Sequence, residues 1–456
     1  MTWTLRHKGS ELMDTYVLSA SPASRFKRFK SVFAGCLLGA MPWYGGVAMA
    51  ADHAGGPIVN STVFSDQHIR SVTAITDVFG RSQRITAAIV EYDLPINEAD
   101  IDVSQWQVND RHIVRAYVTS QPRRAADGHD GRFVVLELDP EDSASVIFAP
   151  DVDQPATVVV SQLKTITAAS GVTLAPTEHP VINTRQNNQI VDDFRQFTYV
   201  DAKTGLQLTY NLYIPKHYDP HKRYPLVLFM HDYGVTGTNP LRTLEQGLGA
   251  VSFASPEDQA RHPAFVLAPQ YPVALANDAF QTSEYVDVTA RLVQALTHQY
   301  AIDSHRLYTT GQSGGCMASI ALNLKYPELF AASLLVAGQW DPNVAAGMAH
   351  KKTWIIVSQD DDKAWPGMNS IVEQWEKNGA KVTRGTLNGR GNDQELADSI
   401  AKMLKDGPGS NVYFSSFEKG TVIPANVTSA ASGHVWTWPI AYRIPAVRDW
   451  LLSQSK

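Results

Sequence analysis

The stretch that decides the fold is 306-RLYTTGQSGGCMASIALNLKY-326, in which a short apolar strand and a helical segment flank a glycine-rich turn. The turn, residues 311–315, reads Gly-Gln-Ser-Gly-Gly and fits the pattern G-x-S-x-G. Between a strand and a helix, this pattern places the serine on a strained turn, and the glycines let the two elements approach closely. The hydroxyl then projects outward, and the amides at the helix start face developing negative charge. Ser313 is therefore the predicted nucleophile, with an ordinary glycine-rich β–α turn as the alternative.

Apolar runs and helical segments alternate on both sides of this turn. Continuous apolar strands that are each followed by a helix are typical of a mostly parallel sheet with crossover helices. The stretch 386–408 is largely polar and is predicted to be an excursion before the last strand. Strands are predicted at residues 206–214, 224–230, 264–268, 306–310, 331–337, 353–357 and 412–418, and helices at residues 285–300, 316–326, 371–378 and 441–452.

A nucleophilic serine needs a base, and the α/β-hydrolase fold that this pattern predicts supplies its partners in the chain order serine, acid, histidine. Two histidines follow Ser313. His350 precedes the strand that is expected to carry the acid, whereas His434 lies in a predicted loop between the last strand and the last helix. His434 is therefore the predicted general base, and a surface histidine without a role is the alternative.

The acid is expected where the strand at 353–357 ends, and three consecutive aspartates, residues 360–362, stand there. One carboxylate would hold the imidazole in one tautomer and stabilise the imidazolium. Asp362 has the familiar spacing to Pro366, and Asp361 is the alternative. The remaining aspartates are expected to be solvated or to cap a helix. The ligand spacing of an EF-hand loop is absent, which disfavours calcium binding.

An oxyanion hole needs two backbone N–H groups near the nucleophile. One is expected from Gly314, the residue after the serine, and the second from Tyr233, in the loop 231-HDYG-234 that follows the strand at 224–230. A plain β–α turn is the alternative for this loop.

Aromatic residues follow several of the same strand ends, where ligands of α/β sheets bind. They predict a cleft for aromatic, sugar or long acyl groups, although Trp436 is equally expected to pack the base loop. Cys316, one turn into the helix after the nucleophile, is predicted to be a small buried packing residue. The predicted substrate-binding residues are Trp340, Trp365 and Trp436, with Trp438 beside them.

Residues 57–195 differ in texture from the rest of the chain, because they carry short alternating or β-branched runs separated by turn clusters. Short strands at such spacing predict an all-β, immunoglobulin-like sandwich. No chemical site is visible in this part, so a supporting or substrate-presenting domain is favoured. The catalytic domain is then predicted at residues 196–456. The strands of the sandwich are predicted at residues 69–76, 84–92, 112–119, 132–138 and 156–160.

The first fifty residues have the order of a secretory signal peptide. A basic cluster at residues 25–30 precedes an uncharged run, residues 31–50, that ends in Ala48-Met49-Ala50. Pro42 and two glycines interrupt this run, which disfavours an uncleaved membrane anchor. Cleavage near Ala50 and a secreted or periplasmic location are predicted, with no stable membrane anchor afterwards.

Composition and charge indicate a globular protein and argue against nucleic acid as a partner. The 456 residues contain 44% hydrophobic and 18% charged residues, which is typical of a globular protein. The net charge is −6, and the body of the chain has no block rich in Lys or Arg, so nucleic acid is not an expected partner. Removal of residues 1–50 leaves 33 basic and 43 acidic residues, or about −10. One cysteine, Cys316, then remains, and no internal disulfide is possible.

Four segments together resemble esterases related to polyhydroxybutyrate depolymerases and feruloyl esterases, in particular a branch often called predicted peptidases. They are 224-YPLVLFMHDYG-234, 302-IDSHRLYTTGQSGG-315, 326-YPELFAASLLVAG-338 and 433-GHVW-436. Some members of that branch carry an immunoglobulin-like N-terminal domain, which residues 57–195 resemble. The resemblance implies ester hydrolysis through Ser313, His434 and Asp361 or Asp362. Asp232 departs from the usual glycine, and residues 358–359 (Ser-Gln) depart from the usual His-Gly.

The predicted function is thus a serine carboxylic-ester hydrolase that acts through a covalent acyl-enzyme, without metal or cofactor, on a small or polymer-linked ester. A serine peptidase with the same triad is the first alternative, because an acyl-enzyme serves amides and esters alike. A binding protein with a vestigial hydrolase is the second, and the intact motifs disfavour it. The sequence indicates neither the natural ester nor the oligomeric state.

Overall fold

The computed structural model describes residues 68–425, 427 and 433–456, and these residues form two successive sets of β-sheets. The first set ends at Asn188, and the second begins at Phe194. The predicted signal peptide and its cleavage site lie outside the described residues, as does the start of the predicted sandwich at residues 57–67. Among the described residues, no helix combines the length and the apolarity that a bilayer crossing requires.

The N-terminal part consists of short strands and single turns of 3-10 helix. Its strands are β1 (Ile69–Phe79), β2 (Ser82–Ile96), β3 (Trp106–Val108), β4 (Ile113–Thr119), β5 (Gly131–Leu138), β6 (Val146–Ala149), β7 (Val152–Asp153), β8 (Val159–Gln162), β9 (Ile166–Thr167), β10 (Thr173–Leu174), β11 (Val181–Ile182) and β12 (Arg185–Asn188). They form a seven-stranded sheet with the main order β12-β1-β2-β5-β4, a three-stranded sheet with the order β11-β8-β3, and the ribbon β9-β10.

The two larger sheets of this part share one apolar core. Val72 and Val90 of the seven-stranded sheet belong to the same buried cluster as Trp106 and Val160 of the three-stranded sheet. Inward-facing apolar residues alternate with outward-facing ones along such strands, which is the pattern of a sandwich. The predicted all-β domain of the immunoglobulin-like kind is therefore confirmed.

The C-terminal part has one mixed sheet with helices on both faces. Its strands are β13 (Phe194–Val200), β14 (Gln207–Tyr213), β15 (Tyr224–Met230), β16 (Phe265–Gln270), β17 (Ile302–Gln312), β18 (Ala332–Val336), β19 (Lys352–Ser358), β20 (Val382–Leu387) and β21 (Val412–Phe417). Its helices are α1 (Arg242–Glu245), α2 (Leu248–Ala254), α3 (Pro256–Arg261), α4 (Tyr285–Gln299), α5 (Gly314–Lys325), α6 (Pro342–Ala345), α7 (Ala364–Lys377), α8 (Asp393–Asp406), α9 (Gly433–Arg443) and α10 (Pro445–Leu452).

The order of this sheet is β13-β14-β16-β15-β17-β18-β19-β21-β20, with antiparallel pairing at the β13 and β14 edge and parallel pairing elsewhere. Strand β15 is buried on both faces. Leu226 and Leu228 belong to the core beneath α4, α5 and α7, whereas Val227 and Phe229 belong to the core beneath α2, α8, α9 and α10. The α/β-hydrolase architecture predicted from the continuous apolar strands is confirmed.

The region between residues 386 and 408 differs from its prediction. It contains the end of β20 and the whole of helix α8, instead of an irregular excursion. Three apolar residues, Leu396, Ile400 and Met403, recur at helical spacing and are buried in an otherwise polar helix. The side chains of Asn392 and Glu395 form a capping box at its start. The segment is polar overall and has glycines at both ends, and these features favoured an irregular excursion although its apolar residues recur at helical spacing.

Candidate active site

The turn between β17 and α5 holds Ser313 in a strained backbone conformation. Its φ of 52° and ψ of −118° lie outside the regions that non-glycine residues usually adopt. The turn is fixed by a hydrogen bond of 3.1 Å from the Ser313 amide to the Val336 carbonyl. Gly315 has no room for a side chain, because a β-carbon there would lie 1.9 Å from the Met230 carbonyl oxygen. The sequence thus needs glycine where α5 crosses the end of β15.

The side chain of His434 lies next to the serine hydroxyl. Its Nε2 is 2.9 Å from the Ser313 Oγ. His434 is the second residue of helix α9, so the predicted loop position is wrong: the helix begins at Gly433, and the predicted final helix is two helices, with α10 starting at Pro445. The Trp438 ring, one turn later, contacts the imidazole edge to face at 5.4 Å between centroids. The predicted base is therefore carried by a packed helix.

Of the two aspartates that the sequence left open, Asp361 lies at the imidazole. Its Oδ2 is 2.5 Å from the His434 Nδ1, and its Oδ1 accepts hydrogen bonds from the amides of Lys363 and Ala364 at the start of α7. Asp361 is buried, whereas the preferred candidate Asp362 is exposed. Asp361, and not the preferred candidate Asp362, is therefore the aspartate that contacts His434, because the turn after β19 directs the earlier side chain inward.

The predicted oxyanion residues converge on the nucleophile. A β-carbon placed on Gly314 would lie 3.8 Å from the Tyr233 backbone nitrogen, so the two main chains approach each other beside Ser313. The loop at residues 231–234 is held by the side chain of Asp232, which accepts hydrogen bonds from the Gly234 amide at 2.7 Å and from the Gln312 Nε2 at 3.0 Å. The aspartate that departs from the usual glycine thus caps a turn of 3-10 helix, Tyr233–Val235.

His231 is a supporting residue that the sequence did not reveal. Its Nε2 accepts a hydrogen bond from the Tyr271 amide at 3.0 Å, so its Nδ1 is the donor to the Asp232 carbonyl at 2.7 Å. Burial lowers the pKa of His231 and keeps the ring neutral, which this bonding pattern requires. The ring ties the oxyanion loop to the end of β16.

The predicted substrate-binding tryptophans occupy different environments. Trp340 is only 6% exposed, and its ring lies 5.5 Å from that of Phe280, which is 37% exposed. Trp365 stacks on Phe414, with ring planes 13° apart. Trp436 lies under the guanidinium of Arg81, a residue of the N-terminal part, at 5.1 Å.

Three residues around the site had no distinct signal in the sequence: His231, Gln312 and Arg81. Gln312 occupies the variable position of the motif, and the other two look ordinary in their segments. Their contacts come from elements far apart in the chain, so only the folded chain identifies them. Among the described residues, no cluster of three or more His, Cys, Asp or Glu side chains is arranged to hold a metal ion.

Two family models match the chain. Residues 71–175 match the model described as "Esterase Ig-like N-terminal domain", and residues 202–403 match the model described as "Putative esterase". The second match contains the turn at Ser313 and the buried Asp361, and it ends before helix α9 with His434. The two matches lie within the two parts of the fold in the expected order.

Several solved structures are similar to this chain. A thermostable esterase is 26% identical, with a TM-score of 0.72 over 85% of this chain and 100% of its own. The feruloyl esterase module from Clostridium thermocellum is 14% identical, with a TM-score of 0.37, and the match covers 55% of this chain and 84% of that chain. The acetyl xylan esterase from Aspergillus awamori is 19% identical, with a TM-score of 0.32, and the match covers 40% of this chain and 78% of that chain. No curated relative was found by sequence.

Proposed function

We propose that this esterase-domain protein, a carboxylic-ester hydrolase, acts through Ser313 as nucleophile, His434 as general base and Asp361 as the acid. The observation that carries the proposal is the unbroken chain of polar contacts Ser313 Oγ to His434 Nε2 to Nδ1 to Asp361 Oδ2, at 2.9 and 2.5 Å. A base within hydrogen-bonding reach of a serine, itself oriented by a third group, is the arrangement that activates a hydroxyl for acyl transfer.

Acylation follows from this geometry. The Ser313 Oγ attacks the ester carbonyl carbon while its proton moves to the His434 Nε2, and Asp361 stabilises the imidazolium that forms. The amides of Gly314 and Tyr233 donate hydrogen bonds to the carbonyl oxygen as it becomes negative. When the tetrahedral intermediate collapses, the C–O bond to the alcohol breaks, and the imidazolium proton passes to the departing oxygen.

Deacylation repeats these steps with water. The neutral His434 takes a proton from a water molecule, and the resulting nucleophile attacks the acyl carbonyl on Ser313. When the second intermediate collapses, the bond to the Ser313 oxygen breaks, the carboxylic acid leaves, and the His434 imidazolium returns the proton to the serine oxygen. No redox step occurs, and all protons travel through one imidazole.

Two aromatic residues at the site, Phe280 and Trp340, belong to the same proposal. We assign Phe280 and Trp340 to a wall for the substrate, because the partly exposed Phe280 continues the buried Trp340 ring toward solvent. Trp365 and Trp436 were also predicted to bind substrate, and each of them packs against another residue of the protein.

We further propose that residues 1–50 direct export and are removed.

A direct test compares the purified wild-type protein with Ser313→Ala on short p-nitrophenyl esters and on fluorogenic peptides. Hydrolysis of the esters should fall to the background in the variant. A fluorophosphonate probe should label the wild type and leave the variant unlabelled. Ser370→Ala, an exposed serine on α7, is the matched control and should retain activity. Preferential cleavage of the peptides would replace the esterase proposal with a peptidase, and full ester hydrolysis by Ser313→Ala would refute the nucleophile.

A further inference from the structure

The turn between β1 and β2, at Gly80 and Arg81, is the part of the N-terminal domain that contacts the base helix. A β-carbon placed on Gly80 would lie 2.9 Å from the Pro439 Cβ on α9. On its other side, the Gly80 carbonyl lies against the residue before α2, since a β-carbon on Gly247 would lie 2.3 Å from the Gly80 oxygen. The turn therefore lies between α9 and the start of α2, and neither Gly80 nor Gly247 has space for a side chain.

Arg81 adds a charged contact to this packing. Its guanidinium lies 5.1 Å from the centre of the Trp436 ring and is partly buried. Among the described residues, the guanidinium has no hydrogen-bond or ion-pair partner, although Asp232 and Asp151 attract it electrostatically. A cation above the face of a tryptophan is attracted to the ring, and partial removal from water strengthens that attraction. The guanidinium thus lies directly against the Trp436 ring.

Trp436 and His434 stand two residues apart on α9, so their side chains point about 200° apart around the helix. The imidazole faces Ser313 and Asp361, and the indole faces the N-terminal domain. Arg81 therefore presses on the side of the helix that is opposite to the base. A helix held on both sides keeps its first turn in one position.

The segment at Gly247, the second neighbour of the turn, is also connected to the active site by hydrogen bonds. Gln246, the residue before Gly247, accepts a hydrogen bond of 3.2 Å from the Gln312 Nε2. The same amide donates to Asp232, whose carboxylate caps the oxyanion loop. One hairpin tip of the N-terminal domain hence contacts both the helix of the base and the segment behind the nucleophile turn.

From these contacts we propose that the Gly80–Arg81 turn positions the catalytic base, with Arg81 acting through Trp436 on helix α9. The inference rests on the proposed function, because it gives the N-terminal domain a role in the same reaction. Arg81 is a positioning residue, since its contact is with the helix that carries His434. The domain is then needed for turnover as well as for stability.

The test uses the full-length mature protein and measures kcat, KM, the rate of fluorophosphonate labelling and Tm. Arg81→Ala should lower kcat and the labelling rate by the same factor, roughly three- to thirty-fold, with KM within about twofold, because a shifted base weakens proton transfer more than binding. Arg132→Ala, an exposed arginine on β5 of the same domain, is the matched control and should match the wild type. Arg81→Met keeps the aliphatic stem and serves if Arg81→Ala does not fold.

A double-mutant cycle with Trp436→Leu examines the route of the effect. If Arg81 acts through the indole, the double variant should lose no more kcat than the worse single variant, since both changes remove one interaction. Independent, multiplied losses would refute that route. An unchanged kcat in Arg81→Ala and Arg81→Met, or an effect confined to KM or Tm, would overturn the inference. These outcomes are separate from the proposed function, which fails only if the wild type itself neither hydrolyses esters nor reacts with the probe.

Discussion

The carboxylate of Asp361 lies 2.5 Å from the Nδ1 of His434, and the carboxylate of the adjacent residue Asp362 points to solvent. The other oxygen of Asp361 accepts two backbone hydrogen bonds from the start of α7. These bonds fix the rotamer, so the imidazole is oriented by a carboxylate that cannot easily turn away. One position in a run of three identical side chains is thereby set apart.

Asp361→Asn should reduce kcat by roughly 10³- to 10⁴-fold, because the amide cannot stabilise the imidazolium and favours the wrong tautomer. Asp362→Asn is the matched control and should stay within about twofold of the wild type, since an exposed carboxylate has little influence on a buried pair. Initial rates on a short p-nitrophenyl ester measure both. A larger loss in Asp362→Asn than in Asp361→Asn would reverse the assignment.

Asp232→Ala should lower kcat by about 10- to 100-fold and change KM less, because the oxyanion loop loses its cap at the Gly234 amide and its tie to Gln312. Asp232→Asn keeps an acceptor for that amide and should lose less. Steady-state kinetics of the two variants on one ester test the order. Equal activity of Asp232→Ala and the wild type would show that the loop holds its shape without the side chain.

Asp201 should make the stability of the fold depend on pH. It accepts two hydrogen bonds from Arg291, at 2.6 and 2.9 Å, which hold its pKa at about 2, below the ordinary 3.8. A lowered carboxyl pKa stabilises the folded state above the ordinary pKa, and this contribution is lost as the pH falls toward 2. Asp201→Asn should therefore lower the free energy of unfolding by about 2 kcal/mol at pH 7.

The measurement for Asp201 is urea denaturation of the wild type and Asp201→Asn at pH 7 and at steps below pH 5. The difference between them should shrink as the pH falls. Asp406→Asn removes an exposed pair with Lys402 and should change stability by less than about 0.5 kcal/mol. A difference that stays constant down to pH 2 would contradict the role of the ionised carboxylate.

Cys316 should be inert toward thiol reagents in the folded protein. Its side chain is fully buried, and burial raises the pKa of the thiol, so almost no thiolate forms at neutral pH. A colorimetric thiol assay on the form that starts at Ala51 should detect no reaction before denaturation and one thiol after it. Rapid labelling of the native protein would show that α5 opens.

Export can be examined at the N-terminus of the mature protein. If residues 1–50 are a signal peptide, N-terminal sequencing of protein recovered from the periplasm or medium should begin at Ala51. A matched variant, Ala48→Arg with Ala50→Arg, removes the small residues at the cleavage site and should accumulate uncleaved. An N-terminus upstream of residue 31 in exported protein would oppose this proposal.

Much of the fold could be predicted from the order of apolar runs and glycines. A strand that is buried on both faces must be apolar throughout, so β15 and its neighbours are visible in the sequence without further information. The sequence does not predict helix α8, because its segment is polar overall and flanked by glycines, so burial of its apolar face becomes evident only in the fold. The sequence predicts the last helix only from residue 441, so His434 is predicted in a loop, whereas α9 begins at Gly433 and continues through Pro439.

Catalytic residues can be predicted from the sequence only where their role imposes a local sequence pattern. The strained turn at Ser313 requires glycines around it, so the proposed nucleophile is indicated by spacing alone, and the chain order of the fold then indicates His434. Asp361 and Asp362 are chemically identical neighbours, and the choice between them depends on which side chain faces α9. The contact of Arg81 with Trp436 joins two domains across more than three hundred residues. Such choices arise from packing between distant segments, and only the tertiary structure brings those segments together.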